Sequence, residues 1–362
     1  MAKKGSILLN FLNLGPKKIN NLISFFKDPD NILKGSANDL RKIPSLTGKD
    51  IDNFITLRDS SIFAKELELI EKEGIDCLDI FDQDYPMLLK EIVNPPLVIY
   101  LKGNREVLNK FLFAIVGTRI PSIYGLSIAH DFSYRLSLLG IVIVSGLARG
   151  IDTAAHKAAL ENGETVAVLG SGLLNVYPKE NEKVAQSIAQ RGAVVSEFPL
   201  FSPPLKENFP RRNRIVSGLS RGVLVVEAAA RSGALITAHL ACEQNREVFA
   251  IPGKADSPLS KGTHILIREG AKLVDSIEDI LEEFNIQFEA AGQKAQLFNL
   301  NLQEKRVFEV IGASEGVSLE EIIIRSNIEY SFLNKVVLDL QLKGVIKEIR
   351  PNCYVKTQIT AN

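Results

Sequence analysis

The run Leu112-Phe-Ala-Ile-Val116 is apolar at every position, is too short for a helix, and is followed at once by a glycine. Such a run is typical of a strand buried on both faces of a sheet. Further runs of this kind follow along the chain: Ile141-Val-Ile-Val144, Thr165-Val-Ala-Val-Leu169, Ala193-Val-Val195, Val223-Leu-Val-Val226 and Glu247-Val-Phe-Ala-Ile251. The centre of the chain is therefore predicted to hold a set of buried strands.

Helical stretches separate these strands, for example residues 126–139 and 153–160. Alternation of strands and helices predicts a parallel sheet with helices on both of its faces. We predict a Rossmann-like, doubly wound and mainly parallel α/β core over residues 105–285.

The segments on either side of the core differ from it in pattern. Residues 1–104 are predicted to form a helical domain of the helix-hairpin-helix or SAM-like kind, in which the turn within residues 40–57 either contacts the DNA backbone or serves packing alone. Residues 286–298 are predicted to be a linker. Residues 299–362 show three helices, a stop at Gly344 and a hairpin, which predicts a winged-helix domain.

The sequence of the predicted winged-helix domain does not indicate which ligand it binds. Its third helix balances Lys335 and Lys343 against Glu329 and Asp339. Binding of DNA and docking of a protein both stay open for this domain.

The chain as a whole is electrically neutral, with 43 Lys and Arg against 43 Asp and Glu. Any polyanion site must therefore be local. The cysteines, Cys77, Cys242 and Cys353, lie far apart without a CxxC pair, which argues against zinc and against a disulfide framework. With neither a signal peptide nor an apolar run of ~18 to 20 residues, we expect a soluble cytoplasmic protein without metal or cofactor.

Candidate binding residues follow the strands, because ligands of a parallel sheet bind beyond the carboxyl ends of its strands. Gly117-Thr118-Arg119 offers a close backbone approach, a hydroxyl and a guanidinium for phosphate. Gly146 and Arg149 lie in the loop after the next strand, where Asp152 is predicted to cap the following helix. The four histidines, His156 included, are predicted to be structural or surface residues.

The stretch Lys206-Glu-Asn-Phe-Pro-Arg-Arg-Asn-Arg214 concentrates positive charge around an aromatic residue. Cations that follow phosphates and a ring that stacks on a base are what single-stranded nucleic acid requires. The candidates here are Lys206, Phe209, Arg211, Arg212 and Arg214, and Pro210 favours a fixed loop. Lys254 and Lys261 are predicted to add positive charge at the same edge, and Ser232-Gly-Ala offers a second possible anion site or a close helix contact.

Several segments, taken in order, resemble the DprA/Smf (DNA-processing A) family: Gly117-Thr-Arg119, Ser145-Gly-Leu-Ala-Arg-Gly-Ile-Asp152, Phe209-Pro-Arg-Arg-Asn-Arg-Ile-Val-Ser-Gly-Leu-Ser220, Val225-Val-Glu-Ala228, Ser232-Gly-Ala-Leu-Ile-Thr-Ala238 and Ala250-Ile-Pro-Gly253. The resemblance implies a homodimeric protein that binds single-stranded DNA, protects incoming strands and helps to load the RecA recombinase during natural transformation. By position, Arg119 and Lys206 look like phosphate contacts and Phe209 like the residue against a base. Gly117, Thr118 and Arg214 are implied to shape the pocket.

Two alternatives remain beside this interpretation. The core could bind a nucleotide or a nucleotide-derived signal, perhaps as a hydrolase with Glu227 as its carboxylate. The protein could also be a recombination adaptor that binds only other proteins. We expect no enzyme, since the chain lacks GxGxxG with a ribose-binding acid, GxxxxGK[ST], GxSxG and HExxH.

Overall fold

The computed structural model describes residues 2–12, 14–286, 301–311, 316–326, 328–343 and 345–356. Residues 1–280 form one compact unit and residues 281–362 form a second. Within the described ranges no helix is both long enough and apolar enough to cross a membrane.

The first unit begins with short helices: α1 (Lys4–Phe11), α2 (Pro16–Phe26), α3 (Pro29–Leu33), α4 (Ala37–Arg41), α5 (Gly48–Arg58) and α6 (Ser61–Lys72). The predicted helical hairpin is formed by α4 and α5. Its second helix starts with a capping box, in which Thr47 and Asp50 satisfy each other's backbone N–H groups. Asp50 also pairs with Lys18 at 2.7 Å. This negative charge at the start of α5 disfavours a phosphate there.

A nine-stranded sheet follows, made of β1 (Asp76–Asp79), β2 (Val98–Gly103), β3 (Leu112–Val116), β4 (Val142–Ser145), β5 (Thr165–Val168), β6 (Ala193–Ser196), β7 (Gly222–Val225), β8 (Glu247–Ala250) and β9 (Lys272–Leu273). Its order is β1-β2-β6-β5-β4-β3-β7-β8-β9. Neighbours from β6 to β9 are parallel. The order reverses at β3, as expected for a Rossmann-like doubly wound sheet.

Helices cover both faces of the sheet: α7 (Met87–Lys90), α8 (Ile123–Leu138), α9 (Ile151–Asn162), α10 (Glu182–Arg191), α11 (Asn208–Leu219), α12 (Gly233–Glu243) and α13 (Lys261–Arg268). Helix α14 (Ile277–Glu283) follows, and the boundary between the two units falls within it. Alternate side chains of β5 enter different cores. Val166 and Val168 lie in the cluster that includes α11 and α12, whereas Ala167 lies in the cluster that includes the N-terminal helices. The predicted double burial of the strands is confirmed.

The predicted domain boundary at residue 104 runs through this sheet. Strands β1 and β2 precede it, yet Leu101 on β2 pairs with Val195 on β6. The N-terminal helices share one hydrophobic cluster with the sheet. The structure therefore places the helices and the α/β core in one compact unit, and the finer division into domains stays a prediction.

Glu66 lies at the junction between the N-terminal helices and the sheet. It is 3% exposed, and its carboxylate accepts a hydrogen bond from the backbone N–H of Leu200 at 2.8 Å. Burial raises the pKa of this carboxyl from 4.5 to about 7. Between these two pH values the folded protein holds a proton that the unfolded chain has lost.

We expect the stability contributed by this proton to be fully present below about pH 4.5 and to be lost as pH rises through about 7. At 1.36 kcal/mol per pKa unit the loss is about 3 kcal/mol. The Glu66→Gln variant keeps a neutral side chain at every pH, so it should be more stable than the parent at pH 8. Urea unfolding of both proteins from pH 5 to 8 measures this difference. Parallel stability profiles would contradict the assignment.

The described part of the second unit contains α15 (Leu302–Val310), β10 (Val317–Ser318), α16 (Leu319–Ser326), α17 (Tyr330–Leu342), β11 (Ile346–Arg350) and β12 (Cys353–Lys356). The strands form an antiparallel sheet in the order β10-β12-β11. Ser318 and Glu321 make a capping box at the start of α16. Helices with a small antiparallel sheet are the architecture of a winged helix.

Two predictions for this region concern residues outside the described ranges. The linker at residues 286–298 lies there except for Ile286, and so does the helix stop at Gly344. The short strand β10 was not predicted, because two residues carry no readable periodicity.

Candidate functional site

A cavity of about 1250 Å³ opens at the carboxyl ends of β3 and β7. These neighbouring strands stand where the strand order of the sheet reverses. The loops that follow them leave toward opposite faces, so a crevice remains between the loops. This is the position that the sequence predicted for a ligand.

The loop Gly117-Thr118-Arg119 forms one side of the cavity. The backbone N–H of Thr118 donates to the carbonyl of Glu227 at 2.7 Å, and the carbonyl of Thr118 accepts from Ile151 at 3.2 Å. Its hydroxyl accepts from the backbone of Ile120 at 3.3 Å. The loop is thus fixed to both neighbouring segments, and it presents the exposed Arg119 to solvent.

A cluster of two rings and two cations lines the cavity. The guanidinium carbon of Arg119 lies 5.7 Å from the centroid of the Phe209 ring. The ring of Tyr177 lies 5.7 Å from the same ring at an interplanar angle of 57°. Lys206 lies in the same lining and is exposed. We call Arg119, Tyr177, Lys206 and Phe209 the basic-aromatic wall.

Sequence reasoning missed Tyr177. This residue follows Gly170-Ser-Gly172 after β5, remote from the basic stretch in sequence, and it is 46% exposed. An exposed aromatic residue in the loop after a parallel strand is the signal that could have identified it. Gly170 leaves room for the Phe209 ring, because a Cβ atom there would stand 2.9 Å from that ring.

The basic stretch is a helix and not the fixed loop that was predicted. Helix α11 spans Asn208–Leu219 and includes Phe209 and Pro210 in its first turn. Proline is tolerated there, because the first N–H groups of a helix have no partner within the helix. The helical geometry separates the arginines onto different faces.

Arg212 lines the cavity but is only 4% exposed. Its guanidinium donates to the carbonyl of Gly146 at 2.5 Å and to the carbonyl of Val168. Burial lowers the pKa of Arg212 to about 10, with the charge of Asp152 acting in the opposite direction. Arg212 therefore links the loop after β4 to the end of β5.

Arg211 and Arg214 meet at a buried carboxylate outside the cavity lining. Glu197 is 3% exposed and pairs with Arg211 at 3.2 Å and with Arg214. Arg214 also donates to the carbonyl of Asn94 at 2.6 Å. Through these contacts Arg214 fixes α11 to the segments that contain Glu197 and Asn94.

The structure brings only part of the predicted set into the cavity lining, namely Gly117, Thr118, Arg119, Gly146, Lys206, Phe209 and Arg212. Of the remaining candidates, Arg149 pairs with Glu180 at 2.8 Å, and Lys261 donates to the carbonyl of Ala255 at 2.9 Å. Lys254 also lies outside the lining. Ser232 caps α12 by accepting from Ala234 at 3.3 Å, and it lies in the wall of the cavity.

The predicted helix cap by Asp152 is wrong. Gly150 is the N-cap residue of α9 and provides no side-chain bond. Asp152 instead accepts from the backbone N–H groups of Gly146 at 3.1 Å and Ala148 at 3.3 Å. Its position inside the first turn directs the carboxylate back into the loop that precedes the helix. Burial raises its pKa, and the charge of Arg212 opposes that shift.

The histidines make local contacts. His156 is buried, and its Nδ1 lies 2.7 Å from the hydroxyl of Thr165. Burial lowers its pKa to about 3, so the ring is neutral at physiological pH. In the described ranges no group of three or more His, Cys, Asp or Glu side chains is placed to hold a metal ion.

Glu227 is engaged away from the cavity lining. One carboxylate oxygen accepts from the hydroxyl of Ser122 at 2.5 Å, and the other accepts from the backbone N–H of Ser122 at 2.9 Å. The carboxylate therefore stands at the start of α8, where the positive end of a helix dipole stabilises it. Glu227 is therefore not placed to act on a ligand in the cavity, as the hydrolase alternative would require.

A doubly wound sheet with such a wall at its point of reversal defines a ligand-binding α/β protein. The site suits a polyanion that carries flat rings, because cations attract its phosphates while aromatic side chains stack on its bases. The chain belongs to the family described as DNA recombination-mediator protein A, whose model matches residues 76–285. The resemblance to the DprA/Smf family is thereby confirmed.

Similar proteins and solved structures come from the same family. Protein Smf of Escherichia coli (strain K12) is 46% identical over 245 residues, which are 67% of this chain and 65% of that protein. The X-ray structure of DNA processing protein A (DprA) from Streptococcus pneumoniae matches with a TM-score of 0.69 and 38% identity, over 80% of this chain and 99% of that one.

A second solved structure concerns a nucleic-acid ligand. It addresses the single-stranded DNA binding mode of DNA processing protein A from Helicobacter pylori. It matches with a TM-score of 0.54 and 31% identity, over 58% of this chain and 95% of that one.

Proposed function

We propose that this protein binds single-stranded DNA at the cavity between β3 and β7. The observation that carries the proposal is the basic-aromatic wall, where Arg119 and Lys206 stand beside the rings of Phe209 and Tyr177. Two cations beside two rings match the alternation of phosphate and base along a strand. A single strand leaves its bases free to stack on these rings, whereas a duplex does not.

The biological role that we propose is DNA processing in natural transformation. The protein would protect incoming strands and help to load the RecA recombinase, acting as a cytoplasmic homodimer. Family membership supports the DNA-processing part of this role, and so does the DNA ligand of the Helicobacter pylori relative. A cooperative coat on single strands is a common property of such binding proteins.

We propose further that the protein acts without catalysis. Asp152 is the acidic residue in the cavity lining, and it is held by two backbone N–H groups. A general base must reach the proton that it abstracts. The contacts of Asp152 with its preceding loop and of Glu227 with Ser122 oppose that use.

Fluorescence anisotropy with labelled oligo-dT and with the matching duplex, at several salt concentrations, tests the proposal. We expect the single strand to be preferred, with a log-log salt slope near −0.7 for each phosphate contact. Unlabelled mononucleotide should compete poorly, because it offers one base and one phosphate to a wall built for several.

The other outcomes identify the alternatives. Displacement by mononucleotide at the concentration at which the oligonucleotide displaces itself would favour a nucleotide ligand. Absence of binding at low salt would favour an adaptor that acts only through proteins.

A further inference from the structure

A second hollow of about 500 Å³ lies directly behind the Gly117–Arg119 loop. It is lined by one face of α9 and by the turn that contains Glu180 and Asn181. We call it the α9 cleft. None of the functions discussed so far uses it.

The α9 cleft shares a wall with the cavity. Thr118 lines the cavity and Gly150 lines the cleft. The backbone of Gly150 has φ of 75°, and a Cβ atom there would lie 2.4 Å from the carbonyl oxygen of Thr118. The two hollows are therefore separated by one thickness of backbone.

The charge of the cleft suits a phosphate backbone. Gly150, Thr153, Ala154 and Lys157 line it and recur at the spacing of one helical face. The first three side chains are small, so the floor of the cleft is close to the helix backbone. Arg149 precedes the N-cap residue Gly150, and the exposed Lys157 lies on the second turn of α9.

Arg149 forms an exposed ion pair with Glu180. Its guanidinium makes two bonds of 2.8 Å to Glu180, and the two side chains are 61% and 53% exposed. An ion pair in such a setting contributes about 0 to 1 kcal/mol, so a phosphate can displace the carboxylate. Glu180 is the acidic residue among those that line the cleft.

An exposed apolar ridge lies between the two hollows. Ile120, which is 82% exposed, lines the cavity, and Leu126, which is 41% exposed, lines the cleft. Ile123 lies between them in sequence at the start of α8 and is 89% exposed. Large apolar side chains grouped in this way mark a binding surface. Bases of a strand on this path would cover them.

We propose that single-stranded DNA continues from the cavity over this ridge into the α9 cleft, where Arg149 and Lys157 bind its phosphates. The inference rests on the proposed function, since it extends the same strand. It predicts that the cleft contributes only when the strand is longer than the cavity can hold.

The test compares a short oligo-dT of about four nucleotides with a long one of about sixteen. We expect the Arg149→Ala/Lys157→Ala double variant to bind the long strand about tenfold more weakly, with a salt slope smaller in magnitude by about 0.7 for each lost contact. Its affinity for the short strand should be unchanged. Lys72→Ala, another exposed lysine on a helix, is the control and should change neither affinity.

A second variant tests the same path by gain of affinity, which misfolding cannot produce. Glu180→Gln releases Arg149 and should strengthen binding of the long strand while leaving the short one unchanged. Equal losses on both strands in the double variant, or no loss on the long one, would overturn the inference while the proposed function stands. Failure of the parent protein to bind either strand would overturn both.

Discussion

We expect Phe209→Ala to weaken binding of oligo-dT by about tenfold or more. A base stacked on an aromatic side chain contributes about 1 to 3 kcal/mol, and about 1.4 kcal/mol is a factor of ten. The ring is half-buried and stands beside Arg119 and the second ring of the wall, that of Tyr177. Anisotropy titration at one fixed salt concentration measures the change.

Phe201→Ala is the matched control. Phe201 is 53% exposed and also has a cation near its ring, with Lys65 at 5.6 Å from the centroid. It does not line the cavity, so its loss should leave affinity unchanged. If both variants lost affinity equally, a general apolar effect would replace the stacking interpretation.

The cations of the same wall should respond differently to salt. If Arg119 and Lys206 bind phosphates as proposed, Arg119→Ala and Lys206→Ala should each flatten the log-log salt slope by about 0.7. Phe209→Ala should leave that slope unchanged, because stacking releases no counterions. The titrations therefore separate stacking from phosphate binding within one site.

Arg212→Met should have the largest effect on stability, with an expected loss of about 3 to 5 kcal/mol in the free energy of unfolding. The substitution leaves the buried carboxylate of Asp152 without its compensating charge. It also removes the donor that Gly146 and Val168 share. Urea unfolding measures the loss.

Lys206→Met supplies the comparison for this variant. Lys206 is an exposed residue of the same basic stretch, and a surface change of this kind alters stability by about 0.5 kcal/mol or less. We expect Lys206→Met to weaken DNA binding while the fold stays stable. Similar stability of Arg212→Met and the parent would refute a structural role for Arg212.

The different contacts of Arg212 and of the pair Arg211 and Arg214 show where prediction from sequence succeeded and where it did not. Lys206, Phe209 and Arg212 of the basic-aromatic stretch lie in the lining of the cavity at the predicted edge of the sheet, since the order of the stretch relative to the strands can be followed along the chain. Its residues were nevertheless treated as one patch. On α11, Arg211 and Arg214 are three residues apart and share a face, where both reach Glu197. Arg212 lies on another face of the helix, where its guanidinium donates to the backbone carbonyls of Gly146 and Val168.

Asp152 and Tyr177 show the same limit of prediction from sequence: Asp152 was given a wrong role, and Tyr177 was missed. A carboxylate near a helix start is typical of a cap, yet Asp152 bonds the preceding loop. The local signal of Tyr177 was only an aromatic residue in the loop after a strand, yet its ring lies 5.7 Å from the ring of Phe209. The partners of Asp152 lie in the loop before its helix, and the partner of Tyr177 lies on α11. In neither case does the residue type alone identify the contact.

The sequence by itself determined that buried parallel strands alternate with helices and that glycine loops follow the strands. These properties depend on consecutive residues, whose apolar character and backbone preferences act locally. Only the tertiary structure decided which cations face the cavity, which are buried as supports, and that the cavity and the α9 cleft share a wall. Those facts depend on contacts between strands that are distant in the chain, because a side chain's partner is set by the segment that folds against it.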